Sequence, residues 1–451
     1  MNHDRNVESR IRRYAQRFRR EANPRAALET RLMAAVRQNI RPRPGPLAFL
    51  PALAMAGGVL VAGLLIAFGA WQLRTLGHRT PTPPISLTTP TPSATPSASL
   101  SPTPSATPTP TQSGAEPGFV PPLASIQMVG PHLGWAVGSQ GIYATTDGTH
   151  WTRQYASSDP LVGVDFISST TGWAVAAHNL LGTTDGGRTW HPLGEAAQWI
   201  RSVHFVNPSQ GWGIAGGDQP IVEHGVLIPG NGATVVTSSD GGRSWVNAAS
   251  PANPETVCFS DASHGWLSAG AGTIYKSQDA GHTWNQSLQM VSSETGLIGW
   301  ARIECAAPSA LWVLWAPGGA AAGHSPYVVY ATTNGVKWRT VMAEPGTIGN
   351  SLPGVPAGPG SYPGSFSVVD PSDAVFVGDT PPANASDTVI VSNGGATLNR
   401  TGAVPWGETL DAAFVSTSMG WVITVDSRGN DVIVATTDGG YKWAQQLAVG
   451  S

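Results

Sequence analysis

The sequence is short of charge, of cysteine and of recognisable catalytic signatures. Only 12% of its 451 residues are Asp, Glu, Lys or Arg, and there are two cysteines, Cys258 and Cys305. No H-E-x-x-H, G-x-S-x-G, Walker A or C-x-x-C string occurs, which removes zinc-peptidase, serine-hydrolase, phosphate-loop and dithiol chemistry as sequence readings. Neither cysteine has His or Cys at metal-ligand spacing, so no metal site is expected. In an oxidising compartment the pair allows a disulfide; two small buried hydrophobes is the other reading. Beyond residue 118 no sustained helical period appears, which argues against a helical domain there.

What charge there is lies unevenly. Between Met1 and Pro46 there are twelve Arg, no Lys and four acids, whereas from Phe119 onward eleven Lys and Arg face twenty-three Asp and Glu. Between these regions Leu47 to Trp71 runs twenty-five residues without a charge. A helix needs roughly 20 apolar residues to cross a bilayer core of about 30 Å, so this run is long enough to span. Its length and long basic lead favour an uncleaved anchor over a signal peptide. Arginine before the span and only Arg74 and Arg79 close behind it place the N-terminus in the cytoplasm and the acidic part outside the cell membrane. Within the head, Ile11, Tyr14, Phe18, Leu28, Leu32 and Val36 recur at helical intervals, with Asn23-Pro24 interrupting them, as in two short helices. Its arginines hold anionic headgroups; the alternative is a signalling head similar to those of membrane-bound anti-sigma factors. A linker follows over 72–118, and from Thr80 to Pro122 the sequence collapses to Pro, Thr, Ser and Ala, a composition too poor in apolar surface to fold. Such a stretch reads as an extended stalk reaching on the order of 100 Å.

From Phe119 to Ser451 the chain repeats itself. TTDGTHW ends at Trp151, TTDGGRTW at Trp190, SSDGGRSW at Trp245, SQDAGHTW at Trp284, TTNGVKW at Trp338, VSNGGATL at Leu398 and TTDGGYKW at Trp443. A strand's length before each stands Gly134-Trp135, Gly172-Trp173, Gly211-Trp212, Gly265-Trp266, Leu311-Trp312, Ala374-Val375 and Gly420-Trp421. Four short alternating segments divided by turns make up each unit; in the second they are Val162–Ile167, Gly172–Ala176, Leu180–Thr184 and Trp190–Leu193. A four-stranded sheet cannot bury both faces alone, but seven arranged radially can. The expected fold is therefore all-β: a seven-bladed propeller over 119–451, preceded by a basic head (1–46), a transmembrane helix (47–71) and a stalk (72–118).

The aspartates have a mechanical reason. The third turn of each blade needs positive φ, which glycine supplies, and the carboxylate accepts backbone N–H groups inside that turn. Asp147, Asp185, Asp240, Asp279 and Asp438, with Asn334 and Asn393 in the weaker copies, are thus expected to be structural. This S/T-x-D-x-G-x-x-W pattern resembles the Asp-box, or bacterial neuraminidase repeat, of WD40/YVTN/BNR-like propellers. With Gly-Trp before each copy, the chain from Phe119 to Ser451 is similar to the photosystem II stability and assembly factor family. That resemblance implies a seven-bladed propeller acting as an assembly chaperone outside the membrane.

Loop lengths suggest a working face. Gly216–Gly232, Pro317–Pro326, Pro345–Gly364 and Asp379–Asp387 are the long connections, and all map to the side opposite the Asp-boxes, where insertions mark a binding surface. The innermost strands start on that side and carry Gln127, Asp165, Arg201, His204, Glu255, Arg302, Glu304 and Asp411 toward the channel. These polar residues either line a solvated channel or form a ligand site at its mouth, with Arg201 and Arg302 as anion contacts.

A sialidase reading needs three inner-strand arginines, a Tyr–Glu nucleophile pair and an acid Asp, with the R-I-P motif before them. Only Arg201 and Arg302 stand in suitable places, and R-I-P is missing. Tyr143, Tyr275 and Tyr330 sit at repeat-equivalent positions, which packing explains. The acidic propeller also argues against nucleic acid. The expectation is a membrane-tethered, non-enzymatic binding or assembly module without cofactor, whose partner is a protein or envelope component. A transmembrane sensor is the alternative, and a glycosidase a more distant one.

Overall fold

The computed structural model describes residues 120–194, 199–218, 221–223, 226–270, 272–290, 299–317, 324–344, 354–379, 386–406 and 408–450. The head, the apolar run and the stalk lie outside the described residues. Among those described, no helix is long and apolar enough to cross a membrane.

Seven antiparallel four-stranded sheets follow one another along the chain, each with its strands in sequence order. Their innermost strands are Ser125–Met128, Leu161–Phe166, Ile200–Phe205, Pro254–Phe259, Trp300–Ala307, Tyr362–Val368 and Thr409–Phe414. Each packs against the next, and the seventh packs against the first, closing a ring of seven blades. The sequence boundaries hold to within a residue or so in the inner part of blade 2: the strands are Leu161–Phe166, Gly172–Ala176, Leu180–Thr183 and, shorter than expected, His191–Pro192.

The apolar repeat positions are buried between blades. Seven hydrophobic clusters are present among the described residues, one for each junction. At the first three junctions the second-strand Trp stacks on a Phe of the next blade: Trp135 on Phe166 at 3.4 Å, Trp173 on Phe205 at 3.6 Å and Trp212 on Phe259 at 3.6 Å between ring centroids. The Asp-box Trp of that next blade closes the edge of the same Phe, as Trp190 does at 5.8 Å and 87°. Such pairs contribute about 0.5–1.5 kcal/mol beyond the area they bury.

The Phe ring also explains the glycine of four of the five Gly-Trp pairs, those of Gly172, Gly211, Gly265 and Gly420. A Cβ on Gly172 would lie 2.4 Å from the Phe166 ring, and one on Gly265 2.4 Å from that of Phe259. In blades 5 and 6 ring and glycine are lost together, as Cys305 pairs with Leu311 and Val368 with Ala374; in blade 1 Met128 replaces the ring and Gly134 is kept.

Strand order puts the turns after strands one and three at one end of the ring and the long connections at the other. Within Gly216–Gly232 a hairpin forms from Ile221–Glu223 and Val226–Ile228, and its second strand rests against the innermost strands of blades 2, 3 and 4. Part of the blade 5–6 connection runs along the outer strand of blade 5, Arg339–Glu344. There Ala343 N–H donates to Pro356 O at 2.9 Å and Gly358 N–H to Ala343 O at 3.2 Å, covering an otherwise open sheet edge. The remaining parts of these loops, including 318–323, 345–353 and 380–385, lie outside the described residues.

Candidate functional site

Asp-box geometry follows the sequence expectation. Asp147 Oδ1 accepts from Thr149 N and His150 N at 2.8 Å each. Asp185 takes Thr189 N at 2.9 Å and the Thr189 hydroxyl at 2.6 Å; Asp240, Asp279 and Asp438 accept the equivalent backbone N–H. Asn334 does the same with its amide oxygen, toward Val336 N at 3.0 Å and Lys337 N at 2.8 Å. Asn393 differs. It stands at φ 56°, and its amide donates to Thr397 Oγ1 at 3.2 Å. The Asp-box glycines take positive φ, as Gly186 and Gly187 do at 76° and 81°. These turns also join blades, because Trp173, Trp212 and Trp421 donate their indole N–H to the Asp-box carbonyls of Gly241, Ala280 and Gly148 in the following blade.

Side chains alternate along the innermost strands, so the residue before each stacking Phe points toward the next blade. At that position stand Gln127, Asp165, His204, Cys258, Glu304, Ser367 and Ala413. Gln127 accepts from Phe166 N at 2.6 Å, and Asp165 from Phe205 N at 2.8 Å. His204 Nε2–H donates to Phe259 O at 2.6 Å. Glu304 accepts from Val368 N at 2.9 Å, and the Ser367 hydroxyl from Phe414 N at 2.9 Å. Each clasps the adjacent inner strand by its backbone.

The closing junction has Ala413 at this place, and Asp411 serves instead: its Oδ2 accepts from Ile126 N at 2.9 Å. Leu123 N–H donates to Asp431 Oδ2 at 3.0 Å farther along the same seam.

Arg302 gathers three blades. Its Nη1 donates to Asp411 Oδ1 at 2.9 Å and to Ser365 Oγ at 3.2 Å, and its Nη2 to Glu304 Oε1 at 2.8 Å. The guanidinium also lies 5.2 Å from the centre of the Phe366 ring. Paired charges of this kind satisfy a buried guanidinium that would be costly alone.

Arg201 and Glu255 occupy β-bulges near the starts of their strands, where the register with the second strand shifts; bulges re-aim side chains in this way. Arg201 Nε donates to Gly216 O at 3.1 Å, and its guanidinium lies 5.3 Å from the ring of Trp199, itself held at φ 67°. Glu255 Oε2 accepts from Ala301 N at 3.0 Å. Burial outweighs that bond and pushes the Glu255 carboxyl up to about 8. Burial likewise raises Asp165 against the opposing charge of His204, and Glu304 against that of Arg302.

The structure therefore unites Arg302, Glu304 and Asp411 in one network and sets Asp165 beside His204. Arg201 bonds to backbone carbonyls of blades 2 and 3, those of Ala177 and Gly216, and Glu255 to a backbone N–H of blade 5. Sequence reasoning did not single out Cys258 and Ser367 as clasp residues, nor Asp431 at the seam. The signal was available in the repeat: each clasp precedes the last residue of the apolar run, as in VDF, VHF, VCF and IEC. Among the described residues no group of His, Cys, Asp and Glu is arranged to hold a metal ion.

No protein-family model matches the chain, and no curated protein matches its sequence. Solved structures are similar to it in fold. YCF48 from Cyanidioschyzon merolae is 17% identical, with a TM-score of 0.42 over 63% of this chain and 84% of that one. The BP39L lectin from Burkholderia pseudomallei is 12% identical, with a TM-score of 0.46 over 73% and 99%. A GH74 xyloglucanase from Xanthomonas campestris is 13% identical, with a TM-score of 0.49 over 74% and 55%. At such identities the likeness is one of architecture.

Proposed function

We propose that this chain is a membrane-tethered, extracytoplasmic propeller that binds a protein or envelope component through its long-loop face and performs no catalysis. One observation carries the reading: the long connections share one end of the ring, while the Asp-box end consists of tight, self-satisfied turns. The hairpin over the inner strands of blades 2 to 4 adds main-chain surface at that end. Asp165, Arg201, His204, Glu255, Arg302, Glu304 and Asp411 would meet a ligand only at the channel mouth. Their hydrogen bonds to neighbouring blades favour a wall-forming role over acid–base chemistry. The tether rests on the charge-free run from Leu47 to Trp71 and the arginines before it.

Cross-linked capture of the full-length protein from membranes tests the binding face, with a second version trimmed across Gly216–Gly232 and Pro345–Gly364. Loss of a specific partner on trimming is the expected result; the same captured set from both versions sinks it. Extraction of the chain from membranes by alkaline carbonate would remove the tether. Turnover of a sialoside or xyloglucan substrate would favour a glycosidase instead. A captured cytoplasmic regulator would favour a sensor that signals through the arginine-rich head.

A further inference from the structure

The junction between blades 4 and 5 departs from its neighbours in a particular way. At every other junction except the closing one, where Ala413 stands, the facing pair on adjacent inner strands combines a hydrogen-bonding clasp with an apolar residue, as in Asp165 and Phe205, or His204 and Phe259. Here both members are cysteine. Cys258 holds the clasp position and points toward blade 5, and Cys305 holds the Phe position and points toward blade 4. The two sit in one apolar cluster with Trp266, Ile303 and Val313, and the Cys258 thiol is in hydrogen-bond contact with Cys305. Both are thiols in this structure, and they are the only cysteines in the sequence. A thiol is a weak hydrogen-bond acceptor as well as a weak donor, so as a clasp Cys258 holds less well than Asp165 or Glu304, which accept backbone N–H groups.

The geometry points to a disulfide between Cys258 and Cys305 that staples blade 4 to blade 5. Formation needs a disulfide donor, either a small molecule such as oxidised glutathione or a protein disulfide. Cys305 is the more exposed of the two, so its thiolate attacks one sulfur of the donor and releases the first donor thiol. Cys258 then gives up its proton and attacks the mixed disulfide at the Cys305 sulfur, releasing the second donor thiol. Two protein thiols are thereby oxidised and one donor disulfide is reduced to two thiols. Burial raises the Cys258 thiol well above its ordinary range, which slows the second step in the folded ring and favours bond formation while blade 5 is docking. This bond is independent of any partner at the long-loop face, so its fate and that of the binding reading are separately measurable.

The test uses the full-length chain in detergent, incubated with oxidised glutathione, then denatured and alkylated with or without prior reduction. The expected product is lighter by the mass of two hydrogens, resists alkylation until reduced, and yields one linked peptide pair containing Cys258 and Cys305 within a monomer. Reduction should lower its Tm by about 5 °C. The double variant Cys258→Ser, Cys305→Ser retains a hydroxyl clasp of the Ser367 kind and should show no response to reductant. Two alkylatable thiols after glutathione treatment, or a link found only between chains, overturns the proposal. A bond whose reduction leaves the Tm unchanged overturns the staple.

Discussion

Asp185 on the outer rim and Glu255 in the channel wall are both carboxylates that accept backbone N–H groups, yet they move in opposite directions. The Thr189 hydroxyl and backbone N–H hold Asp185 down to about 2, and Thr283 does the same for Asp279. Glu255 receives one N–H from the next blade and loses its water, and its carboxyl rises to about 8. At the rim, hydrogen bonds to the charged form decide because solvent still reaches the turn; in the wall, desolvation decides. The rim thus uses acids to shape turns, whereas the wall uses them to join strands.

The contrast breaks first at Arg302. Arg302→Met leaves Asp411 and Glu304 without their cation in the wall, and removing one partner of such a buried group costs about 3–5 kcal/mol. Denaturant unfolding of the variant measures this, and a loss below about 1 kcal/mol would mean that the wall acids are solvated like those of the rim.

Glu255 gives the next effect. Because its folded pKa lies above its unfolded value, its contribution is intact below about pH 4.5 and is lost as pH rises through about 8, a change on the order of a few kcal/mol. Glu255→Gln keeps an acceptor for Ala301 N–H and should flatten that alkaline decline in Tm. An unchanged profile would place the titration elsewhere.

Rim acids have the reverse sign. With a folded pKa below the unfolded one, Asp185 contributes above about pH 4, and the contribution fades as pH falls toward about 2. Asp185→Asn should therefore blunt the acid limb of the stability profile. At pH 7 it should move the Tm by no more than about 2 °C, since Asn334 shows that an amide oxygen makes the same bonds. A large loss at neutral pH would show that the rim depends on charge itself.

Much of the ring is legible in the sequence. The Gly-Trp and Asp-box strings locate the second strand and the third turn of each blade, and seven copies set the blade number. The covariation of Phe259 with Gly265, and of Cys305 with Leu311, is also written in the chain, but it shows only once the strands are paired. The candidate residues fared differently. Asp165, His204 and Glu304 are placed in the channel wall as the alternation suggests, yet their bonds run sideways to the next blade's backbone. Periodicity gives a side chain's face and not its partner. Arg201 and Glu255 owe their direction to bulges, and a one-residue shift of register leaves no mark in composition. The hairpin at Ile221–Ile228 was hidden for a related reason: inside a long insertion, two three-residue strands look like any apolar stretch.

Among the described residues no strand is exchanged between the ends of the ring. Blade 1 is built wholly from the first repeat and blade 7 wholly from the last, and the seam consists of side-chain and backbone contacts among Leu123, Ile126, Trp151, Asp411, Trp421 and Asp431. During synthesis the first blade therefore waits for the final repeat with one apolar flank open to water. Chains released early, or cut in the last repeat, lose that cover together with the circuit, leaving both open flanks as targets for chaperones and proteases.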